Sequence, residues 1–204
     1  CPETGKSSWT RGMEWYKSHF KQDGNMWGYC NPNYGMLWSC EWSANKMREK
    51  LGDIKLIFSV RNPIYREYSA YNHANQALLK HGKKWNDWPE DKEYVEILKT
   101  GGEWFYVNYI HVLKTYEKLF GKDNIHVMIH ERMKSNDYQD EYNKLFDFLN
   151  VERTPIKFAT HHARTYDREL SVDEKDLLVK RYSSEVNELF DWLGYKISEW
   201  PEFI

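Results

Sequence analysis

The stretch from residue 52 to residue 80 constrains the fold more than any other part of this 204-residue chain. A mostly apolar run, Lys55–Val60, stands between Gly52 and the pair Asn62-Pro63. A short apolar run bounded by turn residues is typical of a buried strand in a parallel sheet. Pro63 suits the first turn of a helix, because its missing N–H has no intrahelical partner there. The stretch therefore predicts a strand, a tight turn and a helix that continues over Ile64–Lys80.

The same alternation of strands and helices extends along the chain. A second strand is predicted over Ile125–His130, after the turn-like residues 121–124, and a shorter third one over Trp27–Tyr29. Ser171, followed three residues later by Glu174, forms a capping box at the start of a helix. Helices are predicted over Ser39–Leu51, Phe105–Phe120, Gln139–Leu149 and Val172–Leu193. This order predicts an α/β fold with a parallel sheet flanked by helices, which binds ligands at the carboxyl ends of its strands.

Composition narrows the classes of partner. No repeat or Gly/Pro/Ser-rich linker divides the chain, so residues 1–204 are predicted to form a single domain. With 29 Lys and Arg against 31 Asp and Glu, the net charge of −2 gives no reason to expect nucleic acid or an anionic membrane as partner. No apolar run of about 18 residues predicts a membrane span. Three cysteines form no disulfide framework, which favours reduced thiols in the cytoplasm.

Two groups of side chains have more than one interpretation. The 17% aromatic content suits a core rich in rings, or a groove for a sugar or a flat acceptor. The histidines, which include His161, His162 and His130, have neither the spacing nor the partner cysteines of a zinc site, so no metal is expected.

Arg61 and Ser69 are the candidate binding residues. Arg61 is predicted at the carboxyl end of the first strand and beside a helix N-terminus, where free N–H groups and the helix dipole favour an anion. Its guanidinium suits a phosphate, and the Ser69 hydroxyl, about two turns into the helix, is able to reach the same anion. The alternative is an Arg61 that pairs with a carboxylate and a Ser69 on an ordinary helix surface.

The stretch from Lys55 to His73 resembles the 3′-phosphate-binding segment of sulfotransferases that use 3′-phosphoadenosine-5′-phosphosulfate (PAPS). That family shows an apolar strand, then Arg-(Asn/Asp)-Pro, then a second Arg, and a Ser eight residues after the first Arg. Arg61 and Ser69 match the residues that hold the 3′-phosphate of PAPS. The resemblance implies the sulfotransferase fold, which is akin to that of P-loop kinases.

Flanking segments resemble the same family, above all its heparan-type and bacterial branch, in the same order along the chain. Arg164 matches a late loop that closes over the nucleotide, and the resemblance implies that it is a third nucleotide contact. The similar segments are Gly12–Phe20, Asn31–Tyr34, Glu131–Met133, Phe146–Val151 and Ala163–Tyr166.

The family's loop for the 5′-phosphosulfate, usually Pro-Lys-x-Gly-Thr-Thr, is absent in its usual form. In one interpretation, residues 2–9 are a variant of this loop, and Lys6 and Ser7 contact the 5′-phosphosulfate. In the other, the loop lies upstream of Cys1. In the second case Glu3 matches the carboxylate that acts as general base in heparan-type members, although the aromatic pair that often follows that Glu is missing.

Two further departures concern cysteines. Cys30 replaces the Lys of the family's Lys-(Ser/Thr)-Pro-x-Tyr segment, which argues against a strictly heparan-like substrate. No Cys follows Cys40, so the late disulfide hairpin of Golgi members is absent, and a cytoplasmic, bacterial or viral member is expected.

The resemblance implies transfer of a sulfuryl group from PAPS, without a metal, to a hydroxyl or amine acceptor that includes carbohydrates. Two alternatives stay open at this point. The segment Gly5-Lys6-Ser7 hints at a P-loop nucleotide or small-molecule kinase. The Trp content and the missing loop also suit a non-catalytic carbohydrate-binding relative.

Overall fold

A computed structural model of the chain describes residues 11–20, 26–81, 94–99, 106–157 and 168–204. Seven helices and two strands lie in these ranges. The helices are α1 (Gly12–Lys17), α2 (Cys40–Leu51), α3 (Pro63–His81), α4 (Tyr94–Lys99), α5 (Tyr109–Phe120), α6 (Tyr138–Leu149) and α7 (Val172–Leu193). The strands are β1 (Leu56–Val60) and β2 (Ile125–Ile129), and short 3-10 turns lie at Pro32–Gly35, Lys122–Asn124, Arg132–Lys134 and Pro201–Phe203. No described helix is long and apolar enough to cross a membrane.

The two strands form a parallel pair, as the sequence predicts. Leu56 pairs with Ile125 and Val60 with Ile129, and the His130 N–H donates to the Val60 carbonyl at 2.8 Å. Because parallel strands need a long crossover, α3, α4 and α5 all lie in the chain between them. The carboxyl ends of β1 and β2 therefore meet at one edge, where Arg61 and His130 follow the paired residues.

Helices α2, α5 and α7 supply much of the buried core. The Tyr116 ring on α5 packs edge-on against Phe58 of β1, with centroids 5.2 Å apart. Leu113 on α5 and Leu178 on α7 are almost fully buried. Each such side chain contributes roughly 1.5–3 kcal/mol relative to exposure to water. The fully buried Trp200, near the C-terminus, joins the same cluster.

Most predicted boundaries agree with the structure to within a residue or two, but two predicted elements differ and two helices were not predicted. The helix predicted over Phe105–Phe120 begins at Tyr109, because the Asn108 side chain caps it by accepting a hydrogen bond from the His111 N–H at 2.9 Å. The strand predicted over Trp27–Tyr29 is wrong: both aromatic side chains are exposed, and the segment has no strand partner among the described residues. Helices α1 and α4, six residues each, were not predicted.

Candidate functional site

The turn between β1 and α3 is built around Asn62, whose side chain is 1% exposed. Its Oδ1 accepts a hydrogen bond from the Ile64 N–H at 3.0 Å, and its carbonyl accepts one from the Arg66 N–H at 2.9 Å. Pro63 takes the first position of α3. These contacts fix the start of the helix directly behind the strand, as the local sequence predicts, and they hold Arg61 at the strand's carboxyl end.

Three backbone amides of this turn already have partners within the protein, so the expectation of free N–H groups does not hold for them. The Arg61 N–H donates to the Tyr109 hydroxyl at 3.3 Å, and the Asn62 N–H donates to Glu131 Oε1 at 3.0 Å. Burial raises the pKa of Tyr109, so its phenol stays protonated. An anion at this edge therefore cannot use the Arg61 and Asn62 amides, and the Arg61 side chain is the donor placed to hold it.

A second layer of contacts comes from the C-terminal residues 199–203. The Trp200 indole N–H donates to Glu131 Oε2 at 3.0 Å. The Glu202 carboxylate accepts hydrogen bonds from Asn62 Nδ2 at 3.0 Å and from the Tyr65 hydroxyl at 2.9 Å. Two carboxylates thus stabilise the turn: Glu131, which follows β2, and Glu202, near the C-terminus.

Arg61 itself has a half-buried side chain. Among the described residues, its guanidinium makes no hydrogen bond and no ion pair. The guanidinium can donate up to five hydrogen bonds in a planar fork that matches phosphate oxygens. The group is thus placed where an α/β fold binds its ligand, with donors available.

His130 lies beside Arg61, because the register that pairs Val60 with Ile129 brings the next residues side by side. The pKa of His130 is lowered, chiefly by burial and also by the positive charges of Lys134 and Arg61. A neutral imidazole therefore stands next to the guanidinium. The sequence interpretation considered His130 only as a possible metal ligand; the signal that marks it is its position directly after a buried parallel strand.

Ser69 lies in the second turn of α3 and is partly buried. Positions 66, 69 and 73 share one face of α3, since residues three, four and seven apart are neighbours on a helix. The opposite face carries the buried Ile64 and Tyr68. Arg66 and Ser69 thus share a face that does not pack into the core.

A buried ion pair anchors α3 to α7. The Glu67 carboxylate, 1% exposed, accepts hydrogen bonds from Arg181 Nη1 at 2.8 Å and from the Tyr182 hydroxyl. Arg181 also donates to the Leu98 carbonyl of α4 at 3.0 Å. Burial raises the pKa of Glu67, against the opposing effect of these donors. The anchor fixes the helix that carries Arg66 and Ser69.

Two predicted site residues, Glu3 and Arg164, lie outside the described residues. Asn31–Tyr34, which resembles a family segment, forms a 3-10 turn in which the Asn31 side chain accepts from the Asn33 N–H at 2.9 Å. Cys30 is exposed and Cys40 buried, and both are free thiols. No group of three or more metal-ligating side chains lies together within the ranges that the structure covers.

Comparison with known proteins decides the family. The sequence profile of the sulfotransferase domain matches residues 43–188, which is more than half of the chain. The chain belongs to the sulfotransferase family. The match includes the turn at Arg61, helix α3, strand β2 and most of α7, whereas the site's contacts from residues 199–203 come from beyond the matched range.

A solved structure agrees with this fold. The crystal structure of a sulfotransferase from Alicyclobacillus acidocaldarius is similar, with a TM-score of 0.58 and 21% sequence identity. The similarity covers 79% of this sulfotransferase chain and 63% of that one, so the chain spans less than two thirds of the length of that protein. No curated protein matches the sequence significantly.

Proposed function

We propose that this sulfotransferase takes its sulfuryl group from PAPS and holds the 3′-phosphate of that donor with Arg61. The observation that carries the proposal is the Arg61 guanidinium at the carboxyl end of β1, which has no hydrogen bond or ion pair with any described residue. A phosphate would satisfy its donors in a bidentate arrangement. The site fits an anion through this side chain and not through the Arg61 and Asn62 amides, since both of those N–H groups have partners.

Ser69 and Arg164 complete the proposed donor contacts, on the strength of the family resemblance. Ser69 shares a face of α3 with Arg66, which adds positive charge near the same part of the helix. Neither Ser69 nor Arg61 reacts in this scheme. Both position the donor, and positioning accounts for a large share of the rate in group-transfer reactions.

The proposed reaction is an in-line displacement at sulfur. An acceptor oxygen or nitrogen attacks the sulfur, the bond from sulfur to the bridging oxygen breaks, and 3′-phosphoadenosine-5′-phosphate leaves. Negative charge grows on the bridging oxygen, so placed cations stabilise the transition state, by analogy with phosphoryl transfer. Glu3 is proposed as the base that takes the acceptor proton. The proposed acceptors are hydroxyls or amines, including those of carbohydrates, and the proposed location is the cytoplasm.

Binding of 3′-phosphoadenosine-5′-phosphate to an Arg61→Ala variant tests the proposal. We expect affinity to fall about 10- to 100-fold, because a charge-assisted hydrogen-bonded contact contributes about 1.5–3 kcal/mol. The measurement is isothermal titration calorimetry at fixed ionic strength. Arg153→Ala is the matched control, since Arg153 is an exposed arginine that pairs with Asp147 at 2.5 Å on the surface.

Two outcomes contradict the proposal. One is an unchanged nucleotide affinity in Arg61→Ala while the unliganded protein keeps its melting temperature. The other is thermal stabilisation by ATP with magnesium and none by 3′-phosphoadenosine-5′-phosphate, which favours the kinase alternative.

A further inference from the structure

A cleft of about 380 Å³ lies beside β2, between α6 and the end of α7. Ile125, His126 and Val127 all line it. Consecutive residues of a strand point to opposite faces, so a space that touches all three lies along the edge of the strand. β1 occupies the other edge, and the described residues place no third strand beside β2. We call this space the edge cleft.

The hydrogen bonds around β2 show which of its backbone groups face the edge cleft. The His130 N–H donates to the Val60 carbonyl of β1, whereas the Ile129 N–H donates away from β1, to Glu141 Oε1 at 2.8 Å. Backbone groups alternate in direction along a paired strand. The residues at positions 125, 127 and 129 therefore direct their N–H and carbonyl groups away from β1 and towards the open edge.

Val127 presents a donor and an acceptor together at this edge. At the positions on either side the N–H is used within the protein, because Ile125 donates to the Lys122 carbonyl and Ile129 to Glu141. The Val127 N–H and carbonyl have no hydrogen-bond partner in any part of the chain that the structure describes. Unpaired backbone groups at an exposed edge are a template for a second extended chain.

The two walls of the edge cleft differ in polarity. On one side Trp192 and Leu193 pack, as Val127 does, against the hydrophobic core. On the α6 side His126 stacks on Phe148 with centroids 5.1 Å apart, and its Nε2 atom is buried without a hydrogen-bond partner among the described residues. Side chains alternate along a strand, so a residue paired with Val127 faces the apolar wall and its neighbours face the polar one.

The charges that line the edge cleft balance. The charged lining residues are Lys122, Arg132 and Lys144 on the positive side and Asp123 and Glu141 on the negative side. Arg132 also pairs with Glu199 at 2.8 Å, so three cations face three carboxylates. With neither sign in excess, the field of the edge cleft attracts no strongly charged ligand, and an uncharged one suits it.

We propose that the edge cleft binds an extended, uncharged peptide segment of a partner protein, which adds to β2 as a third strand. One apolar residue of that segment exchanges both of its backbone hydrogen bonds with Val127 in an antiparallel arrangement. Because the N–H groups of Ile125 and Ile129 are already used, this single pair carries most of the backbone recognition. Binding in the edge cleft goes beyond the proposed function, since it needs neither PAPS nor Arg61.

NMR titration of the protein with the peptide acetyl-Thr-Val-Thr-amide tests the inference. We expect the Val127 amide resonance to shift saturably and its hydrogen exchange to slow when the peptide is bound. A peptide methylated on the nitrogen of its valine lacks the donor to the Val127 carbonyl, and its affinity is expected to be about five- to tenfold lower. The matched control is methylated on the nitrogen of the last threonine, which faces away from β2, and is expected to keep the affinity.

Variants of the protein locate the peptide in the edge cleft. Tyr195→Ala removes a lining ring that is 43% exposed and is expected to weaken the unmethylated peptide at least about threefold. Trp38→Ala removes an exposed ring that does not line the edge cleft and is expected to leave the affinity unchanged. Arg61→Ala is expected to leave it unchanged as well, so failure of the proposed function and failure of this inference are distinguishable.

Three outcomes overturn the inference. One is the absence of saturable peptide binding, and another is an equal loss of affinity for the two methylated peptides. The third is a Val127 N–H that is already protected from hydrogen exchange in the free protein. Protection that is independent of protein concentration assigns the edge to a segment of the same chain, whereas protection that grows with concentration assigns it to a second copy.

Discussion

Asn62 illustrates how one buried residue organises the candidate site. Its N–H, Oδ1, Nδ2 and carbonyl each have a partner, and Nδ2 donates to Glu202 at 3.0 Å. The family accepts Asn or Asp at this position, but in this chain only an amide offers a donor to the Glu202 carboxylate. The requirement for Asn comes from a residue 140 positions away.

Replacement of Asn62 by Asp tests this requirement. Asp keeps the acceptor for the Ile64 N–H and places a second carboxylate oxygen against Glu202, so we expect the free energy of unfolding to fall by about 1–3 kcal/mol. Adding Glu202→Gln restores a donor to the pair and is expected to recover much of the loss. Urea unfolding of both single variants and the double variant measures the coupling. Strictly additive losses contradict the interpretation.

At the scale of single residues, the sequence predicts whatever depends on near neighbours. The sequence Arg61-Asn62-Pro63 predicts the end of a strand and the start of a helix, because Pro63 restricts the backbone angles of its own and the preceding residue. The hydrogen bonds of Asn62 to Glu131 and Glu202 are not predictable in this way, because they join positions 69 and 140 residues apart. Glu131 is also the reason that the backbone N–H of Asn62, which was expected to be free, is occupied.

At the scale of the helices, a side-chain cap explains where a helix begins. The predicted capping box at α7 is confirmed: Ser171 Oγ accepts from the Glu174 N–H at 3.3 Å, and the Glu174 carboxylate accepts from the Ser171 N–H at 2.9 Å. The predicted range Val172–Leu193 matches the helix. At α5 the cap Asn108 was overlooked, so the helix was predicted to start too early. Short helices such as α1 carry too few turns to leave a periodic pattern.

Ser171 offers a clean test of what the α7 cap contributes. Ser171→Ala leaves the Glu174 N–H without its acceptor and is expected to lower the free energy of unfolding by about 1 kcal/mol. Ser171→Gly, the matched control, is expected to cost only a few tenths of a kcal/mol, because a bare backbone lets water reach the same N–H. Equal losses for the two variants in urea unfolding contradict the assignment.

At the scale of the whole molecule, the fold agrees with the prediction, but the packing of the C-terminal residues 199–203 against it was not predicted. The parallel pair of β1 and β2 and the flanking helices follow from apolar runs and helical periodicity, and the family match supports that fold. The packing of Trp200 and Phe203 into the core was not predicted, because nothing local marks a terminal segment as buried. The single domain over residues 1–204 stays a prediction, as do the roles of Glu3 and Arg164.

The same C-terminal residues make the free energy of unfolding depend on pH. Arg132 donates to both oxygens of Glu199, at 2.8 and 3.0 Å, and this pair of hydrogen bonds lowers the pKa of Glu199. Because the carboxyl pKa is lower in the folded protein, the stabilisation is fully present above the unfolded value of about 4.3. It is lost as the pH falls through the folded value.

Glu199→Gln is expected to lower the free energy of unfolding at pH 7 by about 0.5–1 kcal/mol, the range of a partly exposed pair. The deficit relative to the unmodified protein is expected to shrink as the pH falls below about 4. Urea unfolding at pH 7 and pH 3.5 measures both values. Glu152→Gln, at an exposed position, is the control and is expected to show no such change. A deficit that is the same at both pH values contradicts the assignment.

The occupied amides behind Arg61 have one more consequence. Binding then depends on the charge of a half-buried guanidinium, and dissolved salt screens such an interaction. Affinity at the proposed nucleotide site should therefore decline as potassium chloride is added.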